Sequence, residues 1–376
     1  MRRFLKIIKR MSLIIAILLV LLVVVTFFYV HQSQFGNNPT GARLERIKQS
    51  PNFKDGTFQN LNETPQLAEG YSVMSILYDF LFVNYPHTRP IDLIPAIHQD
   101  LKAIPLDKNV LVWFGHSSYY LQLEGKRILI DPVFSGNASP IPGSVKAFAG
   151  TDVYAVADFP KIDVLFISHD HYDHVDHKTL LKLKEKVGKV ICGLGVGAHF
   201  EEWGYAPEKI IEKDWYESVD LGKDFKVFVT PSRHFSGRGF SRNNTLWVSF
   251  VLKTPKHTLF LGGDSGYDSH YLEIGKKYGP IDLAILENGQ YNPAWPYVHH
   301  QPEQVLQAAK DLGATRIFPV HSSKFALSNH PWDEPLKEIV RLNATYDFPL
   351  VIPIIGEIVY LDDSTQVFTE WWKGVE

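Results

Sequence analysis

The run His169-Asp170-His171-Tyr172-Asp173-His174 places five groups that bind metals or move protons within six residues. Zinc sites favour neutral imidazole and carboxylate ligands, and catalytic ones keep a position open for water. His169 and His171 are two apart, so in an extended segment they point the same way and can grip one ion. Asp173 and His174 follow directly, and a turn can aim them at a second ion. One loop cannot fill two coordination spheres, so further ligands must come from elsewhere in the chain.

Three places offer them. His234 follows the strand-like run Lys226-Val227-Phe228-Val229, Asp264 follows Thr258-Leu259-Phe260, and His321 ends Arg316-Ile317-Phe318-Pro319-Val320. The His-rich segment itself follows Val164-Leu165-Phe166-Ile167-Ser168, a buried-strand pattern, and precedes a helix-like stretch at 179–184. The chemistry therefore sits on loops at strand ends, where scaffolds usually place it. Glycines around Asp264 would let the backbone come close to a metal. Two ions sharing a carboxylate would form a clamp, with the ions about 3.5–4 Å apart.

With these residues the chain resembles the metallo-β-lactamase superfamily of dinuclear hydrolases. Within it, the chain is most similar to the phospholipase D family that hydrolyses N-acyl-phosphatidylethanolamine and its bacterial members. The blocks that carry the likeness are Ser50-Pro51-Asn52-Phe53-Lys54-Asp55-Gly56, Trp113-Phe114-Gly115-His116-Ser117, Ile130-Asp131-Pro132, the His-rich run, Gly263-Asp264-Ser265-Gly266-Tyr267, Ile274-Gly275-Lys276-Lys277-Tyr278-Gly279-Pro280 and Phe325-Ala326-Leu327. The resemblance implies two zinc ions per chain. It assigns His169, His171 and His234 to one, Asp173, His174 and His321 to the other, with Asp264 bridging. It gives Asp131 the task of bracing a ligand histidine. It places His116 at the mouth of the site and Tyr172 within reach of a phosphoryl oxygen. The implied reaction is hydrolysis to phosphatidic acid and an N-acylethanolamine by a hydroxide shared between the metals, with Asp173 and Asp264 as the catalytic carboxylates. A lactonase, another small-molecule phosphodiesterase and a membrane-tethered binding domain without catalysis are the rival readings.

Two departures fall in regions that form the substrate pocket of that family. His299-His300 stands where the family has Gln-His, and Ser322-Ser323-Lys324 where it commonly has Trp-Gly-Thr. Both leave headgroup and acyl-chain preference open.

Composition narrows the field. With 38 basic and 41 acidic residues the net charge is -3, against the basic face that a nucleic-acid surface needs. The lone cysteine, Cys192, excludes an intrachain disulfide and reads as a buried thiol after Val190-Ile191. Met11 to Val30 carries no charge and is long enough to cross about 30 Å of hydrocarbon as a helix. Arg2, Arg3, Lys6, Lys9 and Arg10 precede it, so the N-terminus is expected in the cytoplasm and the catalytic domain on the far side. The bulky Phe27-Phe28-Tyr29-Val30 argues for an uncleaved anchor.

The elements that must position the ligands follow. Residues 1–10 form a basic flank, 11–30 the transmembrane segment, 31–68 a linker and irregular extension, and 69–376 the hydrolase domain. The aromatic and aliphatic run from Tyr71 to Val83 predicts a helix packed on the core, with a position on the bilayer surface as the rival. Tyr119–Leu123 and 127–130 flank Glu124-Gly125-Lys126, a hairpin signal. Helices are predicted over 269–278 and 302–312, and a strand over 351–361. Strand-rich halves with intervening helices give an α/β class with two sheets between helix layers. The resemblance implies the αββα sandwich with the metals at one edge and lipid as the substrate.

Overall fold

Strand Val110–Trp113 shows how this sequence builds layers. Leu111 and Trp113 enter one hydrophobic core, while Val110 and Val112 enter a second on the opposite face. Alternate residues of a strand face opposite ways, so a strand buried on both sides must be apolar throughout. The computed structural model describes residues 1–376. Its larger core, of 55 residues, lies mainly between two sheets and joins Phe166 of one to Phe250 of the other, rings 4.9 Å apart. The smaller core packs the outer face of the first sheet against Leu180, Leu183 and Phe200 of the flanking helices.

The first sheet has seven strands in the order Ile358–Tyr360, Val110–Trp113, Tyr119–Leu123, Lys126–Ile130, Ile162–Ile167, Val187–Gly193 and Ile210–Lys213. The second has six, in the order Ile317–Val320, Leu283–Glu287, Thr258–Leu261, Val248–Lys253, Lys226–Pro231 and Ser218–Asp220. The strands that precede the ligand loops run parallel from Lys126–Ile130 onward in the first sheet, and from Thr258–Leu261 to Ile317–Val320 in the second. Their C-terminal ends gather the loops at one edge of the sandwich. The expected α/β two-sheet architecture is therefore present.

Three expectations change. The stretch 31–68 is no loose linker: it holds helix Gly41–Lys48 and a short hairpin, and it sends Ile47 and Phe58 into the main core. The strand expected over 351–361 is broken at the turn at Gly356: Ile358–Tyr360 pairs in the first sheet, and before the turn Ile355 makes an isolated bridge to Ala96. The apolar run near 71–83 does form a helix, Val73–Phe82, capped by Ser72 and Ser75, but none of its residues is buried. The N-terminal helix, Arg2–Val30, is long and apolar enough to cross a membrane and is likewise unburied.

Candidate metal centre

Five groups leave five strand ends. Asp131 directly follows Lys126–Ile130, His169 follows Ile162–Ile167, His234 follows Lys226–Pro231, Asp264 follows Thr258–Leu261, and His321 directly follows Ile317–Val320. The two sheets meet through these loops. Gly263 sits at φ +60°, and a Cβ there would lie 2.5 Å from the Cβ of Ser168. Only glycine lets the Asp264 loop close against the His169 loop. His116, Asp131 and His321 also hold positive φ values of 53°, 41° and 68°. Such backbone is uncommon for residues with side chains and gathers at functional sites.

The side chains converge without satisfying one another. His169 Nε2 lies 2.9 Å from His171 Nδ1, which lies 3.2 Å from His234 Nε2. Asp264 spans two groups: its Oδ1 is 3.2 Å from His174 Nε2 and 3.1 Å from His321 Nδ1, and its Oδ2 is 3.8 and 3.9 Å from His169 and His234 Nε2. Asp173 Oδ2 is 3.5 Å from His174 Nε2. His174 Nε2 and Asp264 Oδ1 are buried and have no hydrogen-bond partner. Orphaned buried polar atoms are rare and call for an explanation. A cation between nitrogens and carboxylate oxygens supplies one, and this donor set suits a metal of the zinc type.

The outer nitrogens are fixed. His174 Nδ1 donates to Asp131 Oδ2 at 2.9 Å, and His234 Nδ1 donates to the Val298 carbonyl at 2.8 Å. Asp131 also accepts from the Ser168 amide at 2.9 Å and the Ser168 hydroxyl at 2.6 Å. Such partners orient a ligand imidazole and raise its basicity. Burial lowers His171 to about 4, so its ring stays neutral and able to coordinate. Burial also pushes the Asp264 carboxyl up to about 7, the pull of His174 notwithstanding.

That value sets a sign. Coordination needs the carboxylate, so below about 7 an incoming cation must displace a proton. Metal affinity is therefore expected to fall as pH falls, at least tenfold per unit below about pH 7, because His174, which burial lowers but Asp264 and Asp173 hold above its ordinary value, must give up a proton too. Chelator competition at two pH values below 7 measures it, and a flat profile would exclude proton displacement at Asp264.

A cavity of about 350 Å³ opens onto this cluster. His171, Asp173, Asp264, His299 and His321 are among its polar lining, and Leu67, Val73, Ile76, Phe235, Trp295 and Val298 are among its apolar walls. Four expected pocket positions are corrected. His116 is fully buried behind the cluster, not at its mouth, with Nε2 2.9 Å from Asp173 Oδ2. Tyr172 points the other way, its hydroxyl donating to the Arg238 carbonyl, on a turn that the His174 amide closes against the His171 carbonyl at 3.1 Å. His300 is buried, its amide donating to Glu287 at 2.7 Å, and does not line the cavity; His299 does. The departure at Ser322-Ser323-Lys324 is buried too, with Lys324 Nζ donating to the carbonyls of Phe114 and Val133.

Glu287 went unnoticed in the sequence. It ends strand Leu283–Glu287, is buried, and lies 2.8 Å through Oε2 from His299 Nδ1. The signal that marked Asp264, an acid closing an apolar run, was present here as well.

Residues 126–322 match the family described as "Beta-lactamase superfamily domain". An uncharacterized protein of Mycobacterium tuberculosis is 34% identical over 87% of this chain and 88% of its own. The N-acyl-phosphatidylethanolamine-hydrolyzing phospholipase D 1 of Caenorhabditis elegans is 30% identical over 65% of this chain and 74% of its own. Among solved structures, a possible metal-dependent hydrolase from Veillonella parvula aligns with a TM-score of 0.54 at 12% identity, over 67% of this chain and 99% of that one. The sandwich, the strand-end loops and the unsatisfied donors thus agree with the sequence match: this chain belongs to the metallo-β-lactamase superfamily and has the fold and metal-binding cluster of a metal-dependent hydrolase.

Proposed function

We propose that the protein is a membrane-anchored phosphodiesterase of the phospholipase D type, cleaving N-acyl-phosphatidylethanolamine at a two-zinc site. The observation that carries this reading is the cavity, whose apolar walls end at the donor cluster, an arrangement suited to a lipid with a phosphodiester near its polar end. Likeness to the nematode phospholipase supports the same substrate class. His169, His171 and His234 would hold one ion, Asp173, His174 and His321 the other, and Asp264 both. Bound there, two such ions would supply a water acidic enough to attack at neutral pH and positive charge for the phosphoryl oxygens.

The chain's own groups do the rest. Burial would raise the Asp173 carboxyl, but His174 and His116 beside it hold it well below the usual range, so it stays an acceptor for a water proton. Arg242 lines the cavity and balances the charge of a phosphodiester. Burial pushes Glu287 well above the ordinary carboxyl value and pushes His299 down. The pair is then neutral, with Glu287 donating to Nδ1, which leaves the His299 Nε2–H as a donor toward the leaving oxygen. The N-terminal helix would hold this site beside its substrate, with the catalytic domain on the non-cytoplasmic face.

Water adds to phosphorus, the bond to the ethanolamine oxygen breaks, and that oxygen leaves with a proton. Full-length protein incubated with N-acyl-phosphatidylethanolamine in ¹⁸O water is expected to place the label in phosphatidic acid and none in the N-acylethanolamine. Label in a fatty acid would instead mark carbonyl attack and a lactonase-like enzyme. No product from a fully metal-loaded protein would reject this lipid as the substrate.

A further inference from the structure

Helix Val73–Phe82 is apolar except along one narrow stripe, where Ser75 and Asp79 stand four apart. Asp79 is its one charge, and its other residues are Val, Met, Ser, Ile, Leu, Tyr and Phe. So broad an apolar face calls for a protein core or a membrane to cover it, and no residue of this helix is buried. Phe80 is 75% exposed, and Val73, Met74, Tyr78 and Phe82 are exposed as well. At ten residues it is about 15 Å long, half of what a span requires. Tyr71 and Tyr78 suit the headgroup level, where amphipathic rings concentrate.

Its place in the fold names the occupant. Val73 and Ile76 are also walls of the cavity, so the helix is one lip of the entrance. Arg242 is another lining residue, and it shares a loop with Arg238. Arg238 donates to the carbonyl of Gln34 at 2.7 Å, just past the end of the N-terminal helix. Trp203 Nε1 grips the Ser33 carbonyl at 2.7 Å, and the Tyr29 hydroxyl donates to the Pro140 carbonyl at 2.9 Å. The chain therefore leaves its long apolar helix docked on the domain, and a single short loop links that exit to the cavity rim. At the tip of this loop Phe240 is 80% exposed.

We propose that helix Val73–Phe82, with Phe240, lies in the headgroup and upper acyl layer of the bilayer that the N-terminal helix spans, so that the cavity opens directly into the lipid. This rests on the N-terminal helix being a membrane span, and not on which bond the site cleaves. Amphipathic segments of this kind enter the interface by about 5–10 Å.

The test uses full-length protein in phosphatidylcholine vesicles, with an environment-sensitive fluorophore on a single introduced cysteine. Cys192 is buried and does not compete for label. At Phe80→Cys, nitroxide lipids labelled near the headgroup are expected to remove most of the emission, while aqueous iodide leaves it. Met74→Cys, on the same helix, repeats the measurement in case one variant fails to fold. Val367→Cys, at a position 87% exposed near the other end of the chain, should behave in the opposite way. Leu18→Cys, mid-span, reports the anchor separately by quenching from deep nitroxides. Leu18 quenched but Phe80 and Met74 quenched only by iodide would overturn the proposal and leave the anchor standing. Protection that vanishes when protein is diluted among the vesicles would overturn it in favour of a second copy of the chain. Leu18 left unquenched would overturn both.

Discussion

Asp264→Asn is expected to lower turnover about a thousandfold, the loss of about 4 kcal/mol of charge stabilisation that bridged metals provide. Its two oxygens face different donor groups, Oδ1 toward His174 and His321 and Oδ2 toward His169 and His234. An amide keeps the shape, loses the charge and turns an N–H toward imidazole nitrogens that need a cation. The fold should survive, because Asp264 Oδ1 makes no hydrogen bond that the substitution would break. Turnover, bound metal by mass spectrometry and a thermal melt together decide it. Activity retained with both ions bound would reject the bridging role.

The second large effect is expected at Asp131→Asn, a 10–100-fold loss of metal affinity. Asp131 accepts from His174 Nδ1 and twice from Ser168, so an amide must turn one N–H toward a donor. The residue sits at φ 41°, which asparagine tolerates better than most residues do. The substitution therefore isolates the side-chain role from backbone strain. Chelator competition at fixed pH measures the affinity, and wild-type affinity would mean that His174 needs no brace.

The donor cluster was legible because its signal is local. His169 and His171 alternate on one side of an extended segment, and His234, Asp264 and His321 each close an apolar run that can only be a strand. Alternation does not place Tyr172, because residues 171–174 form a turn in which the neighbours Asp173 and His174 both face the cluster. His299 and His300 gave no such cue: they are neighbours on an irregular loop, and which ring faces the cavity depends on the Glu287 side chain beneath them. The helix at 73–82 was visible as a helix, but its burial was not. Apolar composition shows that a surface avoids water, and does not say whether protein or lipid covers it. The N-terminal 41–68 looked polar and irregular because it buries only a few residues, Ile47 and Phe58 among them, without periodicity.

The contact of Gly263 with Ser168 has a consequence for how the protein comes together. His169, His171, Asp173 and His174 all follow one strand of the first sheet, whereas His234, Asp264 and His321 follow strands of the second. Neither sheet alone carries the whole donor cluster. Metal capture by the full cluster would thus be a late, long-range event in folding, following the closure of contacts distant in sequence. A cation held there would act as a rivet across a seam, its binding energy counting toward holding the two sheets in register.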